Sequence, residues 1–434
     1  MLETGLFKKF RRDNPIASLV QPKTGLVMFP RRISHILREP DFNAISAPIG
    51  DLSMLKPNIQ TKRHRSGIGS GGDPELALLR AVVEAAERYA CLIYDETDFL
   101  VCSAASLKDK ALNFQSFATC SDAELSHPKC PLKAFSEDEE IRWVRGFSLV
   151  DDRDVFVPAI MVHLSMVPRA GELFWLQIST GAAGHTNPAS ALVSGICECV
   201  ERDAISMTWL GRLPLPRLTD TLVAEAMDGL DIGQLSYNFF DATTDLGVPT
   251  VMGVQGGDFD QPISMTCASA LTMEDAVRKA LREAGPLRTV LYQDRAYPDD
   301  PEDFSEVIDG AAYYADGNRL EAFDFLLSSV RPDMLHMPAC ASLSEAQTPE
   351  EQLVALTELL ASKGHEAVAV DITTDELRDV GLWIIRAILP SLMPLSFSYR
   401  ARYLGTPRLY HYMRMATGRT FAETRVNPDP IPFA

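Results

Sequence analysis

The sequence predicts an α/β fold in which helices pack on sheet, because strand and helix signals alternate along its length. Residues 140–162 have the pattern of a β-hairpin with Asp151-Asp152 at its turn. Thr348-Pro349-Glu350-Glu351 begins a helix with a capping box, and Gly364 ends that helix. A short apolar strand follows at residues 367–370. Such alternation is typical of helices layered on sheet.

Size and charge limit the possible partners. The chain has 434 residues, 46% of them hydrophobic, which is enough for one large elaborated domain or two fused lobes. Because its formal net charge is −18, we expect it to repel nucleic acid and anionic lipid, and to bind neither nucleic acid nor membrane. The most apolar stretch, residues 382–395, is too short and too interrupted by Arg386 and two prolines to span a bilayer.

The cysteines indicate a cytoplasmic protein. Eight are scattered along a chain too large to need disulfides, so we expect them to be reduced. Residues 1–12 are basic but are followed by no apolar run, so they are not a secretory signal. Cys120, His127 and Cys130 are the closest set of potential zinc ligands. Their spacing fits no common zinc pattern, so we prefer ordinary thiols in a loop.

The most informative feature is a motif that occurs twice, Glu-x-x-Glu-Arg. It is Glu84-Ala-Ala-Glu87-Arg88 in one predicted helix and Glu198-Cys-Val-Glu201-Arg202 in another. Both helices begin with a capping residue followed by proline, at Asp73-Pro74 and Asn187-Pro188. Both follow a loop of small residues, at 66–72 and 179–184.

Helical spacing places the motif residues together. Glu84, Glu87 and Arg88 share one face, with Arg80 one turn earlier. The adjoining apolar stripe is predicted to contain Leu76, Leu79, Val83, Ala86 and Ala90. A single motif of this kind is usually a solvated helix face with local ion pairs. Its repetition instead favours two helices, from two halves of one fold, that converge on one site.

Such a site would need cations. Each pair of carboxylates about 4 Å apart repels by on the order of 4 kcal/mol at an intermediate dielectric. Mg²⁺ suits hard oxygen ligands, and the two arginines would then face phosphate oxygens. A third predicted helix, residues 273–284, places Lys279 and Glu283 on one face and is stopped by Gly285-Pro286. Since the chain contains no P-loop pattern, a nucleotide site would have to be built from helix faces.

Three segments resemble the ATP-site helices of the YcaO superfamily, namely residues 73–89, 181–204 and 276–284. Two more, residues 385–395 and 404–409, resemble the C-terminal part of azoline-forming members. The resemblance implies a YcaO fold, α/β or α+β, in which two pseudo-repeated sheet-and-helix halves enclose a central ATP and Mg²⁺ site. The domains would be an N-terminal extension that contacts a partner (1–60), a catalytic domain (61–409) and a C-terminal segment (410–434).

The resemblance also implies residue roles. The Mg²⁺ ligands would be Glu84, Glu87, Glu198 and Glu201. The ATP-binding residues would be Arg80, Arg88, His185, Thr186, Arg202, Lys279 and Glu283. The chain departs from common family residues at four positions, where Lys279 stands for Arg, Arg80 for Ser, Ser70 for Lys and Ser190 for Glu.

The chain ends in Pro428-Asp-Pro-Ile-Pro-Phe-Ala434, in which alternating prolines favour an extended polyproline II conformation. Terminal residues are otherwise often disordered. Azoline-forming YcaO proteins resemble this chain in ending with such a motif, directed into the active site, and thioamide- and amidine-forming relatives generally lack it. The resemblance therefore implies that Pro428, Pro430, Pro432 and the Ala434 carboxylate position or deprotonate the substrate.

The activity implied by the resemblance is ATP-dependent cyclodehydration of Cys, Ser or Thr residues in a ribosomally made precursor peptide. The side chain adds to the preceding carbonyl, the oxyanion takes the γ-phosphate of ATP, and phosphate leaves to give thiazoline or oxazoline. Implied partners are a separate ThiF-like leader-peptide-binding subunit, a flavin-dependent azoline dehydrogenase and a second copy of the chain. Thioamide or amidine formation and a non-catalytic peptide-binding scaffold are the alternatives.

Overall fold

A computed structural model describes residues 4–23, 25–36, 38–52, 66–227, 233–256, 262–292, 297–315, 317–328 and 337–433. The strands are β1 (Arg31–Arg32), β2 (Ile45–Pro48), β3 (Ser66–Gly69), β4 (Leu100–Ser103), β5 (Glu140–Ser148), β6 (Arg153–Pro158), β7 (Ala182–His185), β8 (Ser236–Asp241), β9 (Thr250–Gly256), β10 (Ser264–Ser269), β11 (Val368–Asp371) and β12 (Trp383–Ile388).

The helices are α1 (Thr4–Asp13), α2 (Pro74–Leu92), α3 (Ala104–Leu107), α4 (Asp122–Leu125), α5 (Ala159–Val162), α6 (Pro188–Gly211), α7 (Asp220–Met227), α8 (Met273–Leu291), α9 (Val307–Ala315), α10 (Asp324–Leu327), α11 (Ala341–Glu345), α12 (Pro349–Ser362), α13 (Asp375–Arg378) and α14 (Pro407–Thr417). The predicted mixture of helix and sheet is confirmed.

Three antiparallel sheets carry the longer helices. Their strand orders are β1-β2-β3, β10-β9-β8 and β4-β5-β11-β12-β7, with β6 paired to β5. Helix α2 packs on β2, β3 and β7, whereas α6 packs on β7, β12 and β10. Helix α8 covers β9 and β10. Since β7 touches both α2 and α6, the two motif-bearing helices meet at this strand.

The predicted hairpin is confirmed as β5 and β6, but it is shorter than expected. The last four residues, Ala159–Val162, form helix α5 instead of strand, and all four are buried. The ladder stops at Pro158, which pairs with Trp143. Proline has no N–H to donate to a neighbouring strand, so a strand ends readily at this residue.

The predicted helix starts are confirmed in detail. The Asp73 side chain accepts a hydrogen bond from the amide of Glu75, and Asn187 accepts one from the amide of Ser190. Thr348 forms the expected capping box. These caps satisfy amides that lack partners within the helix, which explains why local sequence was sufficient to find them.

The predicted stop at Gly285-Pro286 is wrong, because α8 continues to Leu291. Pro286 has no N–H for the carbonyl of Arg282, four residues earlier. In this fold the hydroxyl of Ser70 donates to that carbonyl at 2.7 Å and supplies the missing hydrogen bond. A helix can therefore pass through a proline where a neighbouring loop satisfies the freed carbonyl.

The predicted apolar stripe of α2 is displaced. Leu76 is 46% exposed, Leu79 and Val83 are only partly buried, and the fully buried face is rich in alanine. That face contains Ala77, Leu78, Ala81, Val82, Ala85, Ala86 and Ala90. It lies directly against the backbone of β3, where a Cβ at Gly69 would come within 2.0 Å of the Ala77 carbonyl oxygen. Small residues on both sides permit this close approach.

The N-terminal segment packs into the main core. Phe10, Ile16 and Leu19 share one hydrophobic cluster with α2. Farther along, the buried Glu39 carboxylate pairs with the Arg288 guanidinium of α8 at 2.5 Å. The proposed boundary at residue 60 lies outside the described residues. None of the described helices combines the length and hydropathy needed to cross a bilayer.

Candidate active site

The two Glu-x-x-Glu-Arg motifs have the same local architecture. The first glutamate of each accepts a hydrogen bond from the segment that precedes its own helix. Ile68 N donates to Glu84 at 2.8 Å, and Gly181 N donates to Glu198 at 2.8 Å. The sequence separations are 16 and 17 residues. The repeat in sequence is therefore also a repeat in structure.

The second glutamate of each motif is tied to a different part of the fold. Gly184 N, on β7, donates to Glu87 of α2 at 2.7 Å. Ser269 N, at the end of β10, donates to Glu201 of α6 at 3.3 Å. Because β7 leads into α6, the acidic faces of α2 and α6 turn toward one another.

Basic side chains from three helices enclose these carboxylates. Arg88 contacts Glu84 at 2.7 Å, Arg202 contacts Glu198 at 3.4 Å and Lys279 of α8 contacts Glu201 at 2.9 Å. Glu201 is 2% exposed, but the other five charged side chains retain 18–31% exposure. Solvent therefore reaches the site, which is a cleft between α2, α6 and α8.

The cleft has an excess of negative charge. Burial raises the pKa of Glu87, and the neighbouring Glu84 and Glu198 carboxylates raise it further. Burial and the Glu201 carboxylate likewise raise the pKa of Glu283, although part of this side chain is exposed. For Lys279, burial opposes the charged form, but Glu201 and Glu283 together outweigh burial and raise the pKa. A bound cation would relieve this repulsion.

The donor set fits a hard cation and phosphate oxygens. In the described part of the chain, no three carboxylate, imidazole or thiol groups already surround a single point. The four motif carboxylates accept backbone N–H groups instead. Two buried polar atoms at this site, Arg202 Nε and Thr180 Oγ1, have no hydrogen-bond partner among the described residues. Carboxylate oxygens suit Mg²⁺, and an unpaired guanidinium N–H suits a phosphate oxygen.

The remaining predicted ATP-binding residues are less closely grouped. Arg80 is half-buried and donates to the Ser70 carbonyl oxygen at 2.9 Å. His185 and Thr186 are exposed, and the His185 ring accepts the Asn187 amide at the start of α6. Glu198 lies ten residues into α6, which corresponds to about 15 Å of helix. The structure therefore groups the glutamates of the two motifs closely but leaves His185 and Thr186 farther from them.

The C-terminal tail is ordered against α6. Trp209 Nε1 donates to the Asp429 carbonyl oxygen at 3.0 Å, and the Tyr314 hydroxyl donates to that of Pro430 at 2.9 Å. Ile431 and Phe433 are buried in a cluster that also contains Ile205. Since Ile205 lies one turn from Glu201, the tail follows α6 from its C-terminal end back toward the cleft. Ala434 lies outside the described residues.

One buried cation was missed by the sequence interpretation, which treated Arg386 only as an interruption of an apolar stretch. Arg386 lies on β12, is 2% exposed and donates to the Ile178 carbonyl oxygen at 2.5 Å. Burial raises the pKa of the Cys91 and Cys199 thiols, and the Arg386 charge opposes this effect at both. Arg386 therefore lies beneath both motif helices. The pairing of β12 with β7, in which Arg386 lies opposite Ala182, brings Arg386 to this position. No local pattern in the sequence indicates it.

The sequence model of the YcaO family, described as "YcaO cyclodehydratase, ATP- and Mg²⁺-binding", matches residues 68–393. The chain belongs to the YcaO family. The match includes both Glu-x-x-Glu-Arg helices and α8, and it ends within the segment that follows β12. The predicted family and fold are thereby confirmed, and the YcaO domain contains the whole acidic cleft.

Two curated relatives are similar in sequence. A protein in the tfuA 3′ region of Rhizobium leguminosarum bv. trifolii is 27% identical over 232 residues, 49% of this chain and 52% of that protein. An uncharacterized protein of Methanothermobacter thermautotrophicus is 24% identical over 86% of this chain and 94% of its own length. The chain thus spans about half of the first relative.

Solved structures share the fold. A heterocyclase in complex with substrate and cofactor superposes with a TM-score of 0.74 at 19% identity, covering 99% of this chain and 57% of that one. YcaO from Methanopyrus kandleri, bound with AMPPCP and Mg²⁺, gives 0.60 at 16% identity over 90% and 91%. The E. coli microcin synthetase McbBCD complex with pro-MccB17 bound gives 0.58 at 12% identity over 93% and 96%.

Proposed function

We propose that this YcaO protein is an ATP-dependent cyclodehydratase that converts Cys, Ser or Thr residues of a ribosomally made precursor peptide into thiazolines or oxazolines. The observation that carries the proposal is the convergence of two Glu-x-x-Glu-Arg faces on one solvent-reached cleft. Glu87 of the first face accepts a hydrogen bond from β7, which leads into the helix of the second. The family model supports the same activity class.

In this proposal Glu84, Glu87, Glu198 and Glu201 hold Mg²⁺ through their carboxylate oxygens. Bound Mg-ATP would supply a phosphoryl group that makes the amide oxygen a leaving group, with the metal neutralising its charge. Arg202, whose Nε has no partner, would donate to a phosphate oxygen. Arg88 and Lys279 are paired to Glu84 and Glu201. Both would orient these carboxylates in the free protein and would turn to phosphate oxygens when the nucleotide binds. Glu283 would lie beside them.

The tail would position the peptide. Pro428, Pro430 and Pro432 restrict the backbone, so ordering the tail costs little conformational entropy. Hydrogen bonds from Tyr399 and Tyr314 hold the carbonyl groups of Pro428 and Pro430. This anchoring supports a role in which Ala434 reaches the cleft, where its carboxylate positions or deprotonates the attacking side chain.

Further subunits belong to the proposal. The microcin synthetase structure is a complex with its precursor bound. We infer that this chain likewise assembles with a ThiF-like leader-peptide-binding subunit and a flavin-dependent azoline dehydrogenase, as a homodimer within the complex. We place the assembly in the cytoplasm, because the cysteines of this chain are free and thiols stay reduced in that compartment.

The test is reconstitution. The purified chain is mixed with Mg-ATP and with any ThiF-like protein and short Cys/Ser/Gly-rich peptide that the neighbouring genes encode, and the peptide is analysed by mass spectrometry. We expect the mass of one water to be lost per ring, with ADP formed in step. Glu84→Gln is the inactive comparison, and Glu274→Gln, on an exposed ion pair of α8, is the matched control.

Three other outcomes would refute the proposal in different ways. Replacement of an amide oxygen by sulfur would assign thioamide formation, and replacement by nitrogen would assign an amidine. Binding of peptide without any consumption of ATP would assign a peptide-binding scaffold. The excess of carboxylates in the cleft argues against the scaffold, because a protein that binds no cation gains nothing from their repulsion.

A further inference from the structure

A second cationic feature lies at the edge of the acidic cleft. Arg80 of α2 and Arg282 of α8 flank Gly71 in the loop between β3 and α2. A Cβ at Gly71 would lie 2.7 Å from Arg80 Nη1 and 3.7 Å from Arg282 Cδ. Gly71 has φ +151°, a conformation that side-chain-bearing residues rarely adopt, so this space is kept open. The Ser70 hydroxyl holds the Arg282 carbonyl at 2.7 Å and fixes the distance between loop and helix.

These two arginines differ from the other bases of the cleft. Arg88, Arg202 and Lys279 are each paired to a glutamate. Within the described ranges, Arg80 donates only to the Ser70 carbonyl oxygen, and the Arg282 guanidinium makes no ion pair or hydrogen bond. Burial lowers the pKa of Arg80, and the Arg282 charge lowers it further. Asp73 offsets this only partly. Burial likewise lowers the pKa of Arg282, and Glu283 and Asp275 offset that effect only partly.

Two like charges in a partly desolvated space are unfavourable unless an anion lies between them. Two guanidinium groups also suit the tetrahedral oxygens of phosphate, because each can donate two parallel hydrogen bonds. Arg80 precedes Glu84 by one helical turn, about 5 Å along α2. An anion held by Arg80 and Arg282 would therefore lie next to the carboxylates that we assign to Mg²⁺.

We propose that Arg80, Arg282 and the Gly71 loop form an anion subsite that binds a non-transferred phosphate group of the nucleotide. The inference rests on the proposed function for the identity of the ligand. It adds Arg282, which the family resemblance does not assign. Arg80 and Arg282 would together supply the positive charge at the edge of the cleft, at the position where Ser70 replaces a lysine common in the family.

Calorimetric titration of the intact protein with ADP and with a non-hydrolysable ATP analogue, each with Mg²⁺, tests the subsite. We expect Arg282→Ala to weaken both ligands by at least about tenfold, since a hydrogen bond between charged groups contributes that much. Arg282→Lys should recover part of the loss. Arg278→Ala removes the same charge from α8 but from an exposed pair with Glu274, and should change affinity less than about twofold.

Equal nucleotide affinities in Arg282→Ala and Arg278→Ala would overturn the subsite, whatever the activity of the wild type. Absence of nucleotide binding in the wild type would overturn the subsite and the proposed function together. If only Arg282→Ala loses affinity while the reconstituted wild type releases no water from the peptide, the subsite stands and the cyclodehydratase proposal fails. Unchanged thermal unfolding of Arg282→Ala would show that its loss of affinity is not a loss of fold.

Discussion

Among single residues, the four glutamates of the two motifs outnumber the two arginines of the motifs. Glu84 and Glu198 each accept a backbone amide at one carboxylate oxygen and contact an arginine through the other. Glutamine removes the charge and can keep the hydrogen bond from the backbone amide, but not the one from the arginine. We expect Glu84→Gln and Glu198→Gln to unfold close to the temperature of the wild type without Mg²⁺, because the smaller repulsion between carboxylates offsets the lost arginine contact. Turnover with Mg-ATP should fall by at least about 100-fold.

Thermal unfolding with and without Mg-ATP, together with turnover assays, measures both effects. The wild type should be stabilised by Mg-ATP, whereas the two variants should gain much less. Glu274→Gln, which removes a charge from an exposed pair on α8, should behave as the wild type does. A large drop in the stability of the metal-free variants would show instead that Glu84 and Glu198 are structural residues.

At the scale of elements, a buried charge network fastens α14 to α6. Arg408 contacts Asp203 at 2.6 Å and Asp245 at 2.9 Å, and Asp203 also accepts the amide of Met393. We expect Arg408→Ala to lower the free energy of unfolding by about 3–5 kcal/mol, because it leaves a buried carboxylate unpaired. Urea denaturation measures the loss. Arg414→Ala, exposed on the same helix, should cost less than about 0.5 kcal/mol, and equal losses would contradict the network.

The proline inside α8 gives a second prediction at this scale. Ser70→Ala removes the hydroxyl that donates to the Arg282 carbonyl, and should cost about 1 kcal/mol of unfolding free energy. In a Pro286→Ala background the restored amide can donate to the same carbonyl, so Ser70→Ala should cost less. A double-mutant cycle by urea denaturation measures this coupling. Equal costs in both backgrounds would show that the hydroxyl does not compensate for the proline.

Across the molecule as a whole, the described part of the C-terminal tail packs against α9. A Cβ at Gly310 would lie 2.0 Å from the Ile431 carbonyl oxygen, so Gly310→Ala should displace the tail. Helix propensity alone would favour alanine by about 1 kcal/mol. We expect peptide turnover to fall by at least about tenfold, because the proposed function assigns substrate positioning to the tail. Nucleotide affinity, measured by calorimetry, should be retained.

Gly256→Ala is the matched control for the tail experiment. Among the described residues, its Cβ would meet only Ile263 Cγ1, at an ordinary 3.7 Å, and activity should be unchanged. A short extension after Ala434 tests the same idea from the other end and should abolish turnover while leaving thermal unfolding intact. Full activity of both Gly310→Ala and the extended protein would refute a role for the tail in catalysis.

Much of the cleft could be predicted because its components are local. Asp73 and Asn187 cap their helices through amides two or three residues away, and the motif residues share a face through helical spacing. The errors arose where a distant group decided the outcome. Pro286 can lie inside a helix because Ser70 donates a hydrogen bond to the carbonyl of Arg282, which is 212 residues away in sequence. The buried face of α2 is set by its contact with β3.

The family, the two acidic helix faces and the starts of the main helices could be predicted from local sequence, because caps and charge spacing act within a few residues. That the two faces meet follows from tertiary contacts alone. The hydrogen bond from Gly184 to Glu87 joins residues 97 apart in sequence, and the one from Lys279 to Glu201 joins residues 78 apart. Arg386 lies buried under both helices. These contacts depend on sheet pairing and on the packing of helices against strands, which no local pattern specifies.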